Sequence, residues 1–244
     1  MKEKEGGFPV APLNPFGEKF RVCGRDQGFP IALDLRDAKA KGDKWLRLIE
    51  LGEIPYDEKE ILRYAMMPST ATAPEELPLG ECLAAARGAA RCRAVWQRYP
   101  LGWQEKELDL GFAKTASQNL RKHLEGCTEI VLFACTAGGE MDRRINREKV
   151  ISPVRGLLMS AIGSQQVEGA CDRLCEMLAK EYPDRQLVSR YSPGYGDLPL
   201  ELQREIIRAL DCGRTIGITL TESLLMQPSK SVTAVIGMKE REKV

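Results

Sequence analysis

The chain has 244 residues, enough for one large domain with a full hydrophobic core or for one domain with an extension. Its 36 Lys and Arg residues nearly balance its 35 Asp and Glu residues, so no global charge would attract nucleic acid or an anionic membrane. No apolar run approaches the roughly 20 residues of a membrane span, and the N-terminus lacks an apolar signal core. We therefore expect a cytoplasmic protein with no nucleic-acid or membrane partner, in which any anion binding is local.

Eight cysteines are spread along the chain, and none of them forms a C-x-x-C pair. This spacing predicts reduced thiols and no metal site. Cys171 and Cys175 lie four residues apart on a predicted helix, where small and weakly polar side chains commonly pack in the core. An iron–sulfur site built from scattered cysteines stays open as an alternative.

The first 42 or so residues are rich in glycine and proline, which favours an extended arm with turns. The pattern W-L-R-L-I-E-L-G then predicts a short helix over 43–53 that Gly52 ends. Proline and acidic residues in a first turn predict a second helix, which starts at residue 55 and ends at Pro68. A loop over 69–80 leads into an alanine-rich helix over 81–93.

The middle of the chain contains a continuous apolar run at 129–136, typical of a buried strand. It ends in a T-A-G-G turn that leads into a polar helix. Small and apolar residues over 154–178 predict two helical segments, loosened at Gly163. Shorter elements are also predicted, namely strands at 94–99, 108–111 and 186–189 and a helix at 115–124.

The residues at 190–199, R-Y-S-P-G-Y-G-D-L-P, predict a rigid turn. Pro193 fixes one φ angle and Gly194 can adopt a positive one, so backbone amides become available. Arg190 offers a planar, permanently charged fork for a carboxylate, and two tyrosines add aromatic faces. On the residues alone, however, pairing of Arg190 with a structural carboxylate is the favoured alternative. Glu222, in a Thr- and Ser-bearing segment, is a further candidate whose alternative role is a helix cap or ion pair.

Four motifs in this order resemble the activation, or reactivation, domain of cobalamin-dependent methionine synthase in its free-standing form. The turn is similar to that family's R-x-x-P-G-Y-x-x-x-P signature. The other three are F-A-C-T-A-G-G-E-M-D-R-R-I at 133–145, C-D-R-L-C-E at 171–176 and L-T-E-S-L-L-M-Q-P-S-K-S-V at 220–232. A looser match, K-E-I-L-R-Y-A-M-M at 59–67, resembles the opening helix of free-standing relatives.

The resemblance implies a site for S-adenosylmethionine. It assigns the methionine carboxylate to Arg190 and the amino group to Glu176, the last acid of the D-R-L-x-E helix. Backbone groups of the turn would meet the nucleoside, and an aromatic ring would flank the sulfonium. The residues implied for these last two roles are Tyr191, Ser192 and Gly194 for the nucleoside and Tyr195 for the sulfonium.

The implied reaction is reductive methylation of cob(II)alamin, with an electron from a flavodoxin- or ferredoxin-like donor and a methyl group from S-adenosylmethionine. The single histidine, His123, does not form the D-x-H-x-x-G pattern of corrinoid-binding domains. We therefore expect cobalamin only in trans, on a separate corrinoid-binding methyltransferase subunit. No catalytic base is expected, since cobalt is the nucleophile. The chain would be an accessory component of a cobalamin-dependent methionine synthase. His123 itself is expected at the surface or at a helix end.

The expected fold is α+β, with a mixed, largely antiparallel sheet flanked by helices. Residues 1–50 form the predicted arm or extension, which the resemblance does not cover, and residues 51–244 form the activation-domain-like domain. Full-length relatives continue into a Tyr-bearing extension, whereas here S-V-T-A-V-I-G leads to a charged tail. This motivates an alternative function, a non-catalytic docking or assembly factor that has lost the S-adenosylmethionine site. A methyltransferase acting on another acceptor is disfavoured, since no G-x-G-x-x-G turn follows an N-terminal strand.

Overall fold

The computed structural model describes residues 20–23, 46–67 and 77–241. Pro68, most of the predicted loop over 69–80 and most of the predicted N-terminal arm lie outside these residues. Within the described ranges, none of the helices combines the length and the apolar composition that crossing a membrane requires.

A six-stranded sheet forms the centre of the fold, and two small sheets lie beside it. The strands of the large sheet are β1 (Phe20–Cys23), β2 (Leu46–Gly52), β3 (Cys92–Pro100), β7 (Glu129–Thr136), β8 (Arg185–Leu187) and β11 (Ser231–Glu240). The small sheets contain β4 (Gly102–Trp103), β5 (Leu108–Asp109) and β6 (Lys114–Thr115), and β9 (Thr219–Leu220) and β10 (Met226–Gln227).

The large sheet has the order β1-β2-β3-β7-β11-β8, and every pairing among the described strands is antiparallel. Its centre is β7, which pairs with β3 on one side and with β11 on the other. Both faces of β7 are covered, so seven of its eight residues are buried. This explains the continuous apolar run, because a strand buried on both faces has no polar side to alternate with.

Helices cover both faces of the sheet. The helices are α1 (Glu58–Tyr64), α2 (Leu79–Ala86), α3 (Gln118–His123), α4 (Gly139–Ile151), α5 (Pro153–Glu181), α6 (Leu202–Ala209) and α7 (Cys212–Thr215). The long helix α5 crosses one face and packs against α1, α2 and α4. The other face buries residues of α3, α6 and α7 in a second hydrophobic cluster. The predicted α+β class, with a largely antiparallel sheet and flanking helices, is confirmed.

Three local predictions are wrong. Residues 46–52 form a strand rather than a helix. The alanine-rich helix ends at Ala86, since Gly88 has φ +71° and the chain then turns into β3. Finally, α5 is one continuous helix of 29 residues, with no break at Gly163.

The first of these errors has a tertiary cause. Arg47 is buried on β2, with its guanidinium carbon 4.6 Å from the centroid of the Trp96 ring, and it forms an ion pair with Glu181 at the end of α5. Strand pairing with β3 and this stacking outweigh the local pattern, which fits a helix and a strand equally well.

The predicted boundary at residue 50 lies within β2. Strand β1, from the predicted arm, pairs with β2 from Phe20 opposite Ile49 to Cys23 opposite Leu46. The division of the chain into 1–50 and 51–244 stays a prediction.

Candidate functional site

The turn at 190–199 is anchored to the outer edge of the sheet. Strand β8 pairs with the C-terminal end of β11, and the chain then continues alongside β11. Tyr191 exchanges two backbone hydrogen bonds with Val235, each 2.9 Å long. The strand therefore fixes where the turn begins.

Internal hydrogen bonds close the turn. The amide of Gly194 donates to the Leu198 carbonyl at 2.9 Å, and that of Leu198 donates to the Tyr195 carbonyl at 3.0 Å. Gly194 has φ +89° and Gly196 has φ +55°, both in the left-handed region that favours glycine. The positive φ predicted for Gly194 is thus present, and a second one follows two residues later.

Asp197 ties the turn to the start of α3. Its carboxylate accepts hydrogen bonds from the Ser117 hydroxyl and from the amides of Gln118, at 2.7 Å, and Asn119, at 3.1 Å. The hydrogen bond from Ser117 lowers the pKa of Asp197, and the two amides lower it further. A carboxylate remote in sequence therefore caps this helix beside its own cap residue, Ser117.

Arg190 faces α5 from the start of the turn. Its Nη2 atom lies 3.0 Å from Asp172 Oδ1 and 3.2 Å from Glu168 Oε2. Burial alone would lower the pKa of Arg190, but the nearby anionic and thiol groups outweigh it and raise that pKa. Its Nη1 atom is buried and has no hydrogen-bond partner among the described residues. The alternative role that the sequence favours for Arg190, pairing with a structural carboxylate, is thus present in the structure.

Glu168, Asp172 and Glu176 lie four residues apart on α5, and we call them the acidic stripe. Residues four apart share a helix face, about 6 Å apart along the axis. Glu176 is exposed, and no hydrogen bond or ion pair joins it to Arg190 in the described part of the chain. Sequence reasoning missed the other two acids, although the spacing i, i+4, i+8 on a predicted helix was a usable signal.

Aromatic rings form the outer side of the turn. The Tyr191 ring lies 4.9 Å from the imidazole of His123, whose Nε2 is 2.7 Å from the Ser189 carbonyl oxygen. The Tyr191 hydroxyl donates to the Tyr195 carbonyl at 3.3 Å, and 68% of Tyr195 is exposed. His123 lies at the end of α3, as predicted, and contacts both Tyr191 and the chain before the turn.

Glu222 is exposed in the hairpin between β9 and β10. Its backbone carbonyl accepts a hydrogen bond from Arg204 at 3.4 Å. Among the residues that the structure describes, no hydrogen bond or ion pair connects Glu222 to the turn or to the acidic stripe. Its role as a site residue stays a prediction.

Cysteines lie mainly in the core. Cys92, Cys135 and Cys171 are buried, and burial raises the pKa of Cys92 to about 12. Burial also raises the pKa of Cys175, beside Arg190, to about 11. In the ranges 20–23, 46–67 and 77–241, no group of three or more His, Cys, Asp or Glu side chains is arranged to hold a metal ion.

Residues 127–243 match the model of the family described as vitamin B12 dependent methionine synthase, activation domain. Thirteen chains of solved structures also match significantly. One of them, a crystal structure of the MetH reactivation domain bound to AdoHcy, has a TM-score of 0.54 and 17% sequence identity. The match covers 82% of this chain and 80% of that one, and at this identity it shows a shared fold. No curated protein matches the sequence significantly.

Proposed function

We propose that this chain, whose residues 127–243 belong to the activation-domain family of vitamin B12 dependent methionine synthase, binds S-adenosylmethionine and supports reductive methylation of cob(II)alamin on a separate corrinoid methyltransferase. The family region contains all four motifs on which the resemblance was based. The crystal structure of the related MetH domain holds AdoHcy, which is S-adenosylmethionine without its methyl group.

The observation that carries the proposal is the position of the turn against the acidic stripe. A cation at Arg190 and a row of carboxylates on α5 lie side by side. The amino acid end of S-adenosylmethionine carries the two complementary charges, a carboxylate and an ammonium. In this assignment Arg190 takes the carboxylate and Glu176 takes the ammonium.

The nucleoside and the sulfonium fit the remaining parts of the turn. The resemblance implies that the nucleoside would contact the backbone of Tyr191, Ser192 and Gly194. Because Tyr191 already exchanges two backbone hydrogen bonds with Val235 and the Gly194 amide donates to Leu198, the contact would use the remaining backbone groups of the turn. The exposed Tyr195 ring supplies an aromatic face for the positively charged sulfur. Each of these roles uses a group whose chemistry matches the part of the ligand that it would contact.

Reductive methylation requires one electron at cobalt and the transfer of a methyl cation equivalent from sulfur. The S–CH3 bond breaks, a Co–CH3 bond forms, and AdoHcy leaves. No proton moves, so this chain needs no general base. Its residues would hold and orient S-adenosylmethionine, while a flavodoxin- or ferredoxin-like donor supplies the electron and the corrinoid subunit carries the cobalamin.

The test is a reconstituted reaction followed by the cobalt absorption spectrum. The purified chain is mixed with S-adenosylmethionine, a reductant and a cob(II)alamin-loaded corrinoid subunit, and formation of methylcobalamin is recorded. We expect conversion that depends on this chain and that falls at least tenfold with Arg190→Ala. Equal rates with and without the chain would refute the proposal.

One observation favours the alternative, a docking or assembly factor without a small-molecule site. Arg190 is already paired with two carboxylates, and its Nη1 atom is buried, so a ligand carboxylate must displace Glu168 or Asp172. The alternative predicts that Arg190→Ala and Glu176→Ala leave both corrinoid-subunit binding and re-methylation unchanged. A pull-down and the spectral assay on the same variants distinguish the two functions.

A further inference from the structure

A cavity of about 900 Å³ opens where β3 begins and α4 begins. Its volume lies within the range of about 300–1,000 Å³ that is typical of small-molecule sites. None of its lining residues belongs to the turn at 190–199 or to the acidic stripe. The charged residues that line it are Arg87, Arg91, Arg93, Arg143, Arg144, Glu50 and Glu140.

Most of this positive charge is not neutralised locally. Arg143 donates to Glu140 at 2.8 Å, but no carboxylate among the described residues forms an ion pair with the other four arginines. The Nε atoms of Arg93 and Arg144 are buried and lack hydrogen-bond partners in the described ranges, although Nη2 of Arg93 donates to the Ile216 carbonyl at 2.9 Å. Leaving a buried Nε donor without an acceptor is costly, and a neutral carbonyl does not cancel the charge of Arg93, so this arrangement favours a bound anion.

The backbone also contributes positive charge to this cavity. The 13-residue helix α4 begins at the cavity, and its N-cap, Gly138, has no side chain to satisfy the first amides. Gly138 has φ +89°, and its own amide donates to Thr136 Oγ1 at 3.0 Å. The following amides and the positive end of the helix dipole therefore border the region that the arginines line, and Glu140 and Asp142 in the first turn of α4 offset part of this positive charge.

We propose that this cavity binds a small compound that carries a chain of two or three phosphate groups. Five arginines against two glutamates leave a formal excess of three positive charges, which a compact di- or triphosphate matches. Guanidinium forks bind phosphate oxygens in pairs, and helix amides bind a further phosphate group. The phosphates could come from a nucleotide or from an inorganic chain, since both present the same groups to these side chains.

Calorimetry with inorganic triphosphate and, in parallel, with ATP tests the proposal on the full chain at low ionic strength. The informative variant is Arg91→Gln, because Arg91 is exposed and its loss should leave the core intact. Arg147→Gln is the matched control, since Arg147 is an exposed arginine of α4 that does not line the cavity. Arg190→Ala serves as the control for the proposed S-adenosylmethionine site.

We expect saturable binding of triphosphate that weakens about tenfold with Arg91→Gln and less than twofold with Arg147→Gln or Arg190→Ala. Tighter binding of ATP than of triphosphate would show that the ligand is a nucleotide. Equal binding would show that the inorganic phosphate chain is sufficient. The proposal is overturned if neither compound binds, if Arg147→Gln weakens binding as much as Arg91→Gln, or if citrate binds more tightly than triphosphate.

Discussion

The Nη2 atom of Arg190 lies 3.0 Å from Oδ1 of Asp172, an ion pair between the turn at 190–199 and the middle of α5. The Asp172 side chain is 67% exposed and that of Arg190 is 25% exposed, so solvent screens the pair. A ligand carboxylate that binds Arg190 must compete with Asp172. We therefore expect this pair to weaken ligand binding at the proposed site without preventing it.

We expect Asp172→Asn to tighten binding of S-adenosylmethionine, by up to about fivefold, because it removes a competing carboxylate worth at most about 1 kcal/mol. Glu176→Gln, one helical turn further along the acidic stripe, should weaken binding about tenfold because it removes the proposed ammonium partner. Calorimetry on the two variants measures both effects, and the two substitutions have the same chemistry on the same helix face. If Asp172→Asn weakens binding and Glu176→Gln does not, then Asp172 is the partner of the ligand ammonium. If neither substitution changes the affinity, then the acidic stripe is not part of the binding site.

Gly196 is the position of the turn that tolerates a side chain least. A Cβ atom there would lie 2.7 Å from the Tyr191 hydroxyl and would also overlap the Asn119 amide, at φ +55°. Gly196→Ala should therefore lower the free energy of unfolding by about 2–3 kcal/mol, from strain and overlap together. Urea denaturation measures the loss.

The control for Gly196 is Gly194→Ala. Gly194 also has a positive φ, but its new Cβ would meet only Leu200 Cδ1, at 3.3 Å. A loss of about 1 kcal/mol is expected there, from backbone strain. In an Asn119→Ala background the cost of Gly196→Ala should fall, since part of the overlap is removed. Equal costs at both glycines, unaffected by Asn119→Ala, would contradict the close packing of the turn on α3.

Local sequence signals sufficed where an element is determined by its own residues. The buried run of β7 and the Pro-Gly turn were both predicted, because a doubly covered strand and a positive φ leave clear marks in sequence. Elements determined by distant partners were missed. Strand β2 depends on its pairing with β3 and on the stacking of Arg47 on Trp96.

The candidate site shows the same division. The motif identified Arg190, but its partners Glu168 and Asp172 come from a helix 18 or more residues earlier. The cap that Asp197 gives to α3 spans about 80 positions of sequence and has no local signature. Such contacts follow from how the turn packs against the rest of the fold, which no short sequence window contains.

Asp197 should make stability depend on pH. Because the hydrogen bonds from Ser117 and two amides lower its folded-state pKa, the ionised carboxylate stabilises the fold above the ordinary value near 3.8. This contribution is lost as the pH falls through the folded-state pKa. We therefore expect Asp197→Asn to be less stable than the parent chain at pH 7, and we expect the difference to shrink at pH 3.

Denaturation midpoints in urea at the two pH values check this expectation. Glu201→Gln is the matched control, because Glu201 is a carboxylate at the N-cap of α6 that makes no cap hydrogen bond. The difference in stability between Glu201→Gln and the parent chain should not depend on pH in this way. A difference for Asp197→Asn that is the same at pH 3 and pH 7 would show that the carboxylate charge does not contribute.

Gly163 lies inside the continuous helix α5, where alanine normally stabilises a helix by up to about 1 kcal/mol relative to glycine. Here a Cβ atom would lie 2.9 Å from Lys230 Cγ and 3.0 Å from Met141 Cγ. Lys230 cannot move freely, because its Nζ atom donates to Ser160 and Ser164 at 2.9 Å each. Gly163→Ala should therefore lower the free energy of unfolding by about 1–2 kcal/mol despite its better helix propensity.

Gly80 in α2 supplies the comparison, since a Cβ there would meet nothing within 4 Å. Gly80→Ala should raise the free energy of unfolding by about 0.5–1 kcal/mol, from propensity alone. Urea denaturation of both variants tests whether close packing of α5 against the segment around Lys230 requires glycine at position 163. If it does, the two substitutions change the free energy of unfolding in opposite directions. If Gly163→Ala also stabilises the fold, then this packing is loose and does not explain why residue 163 is glycine.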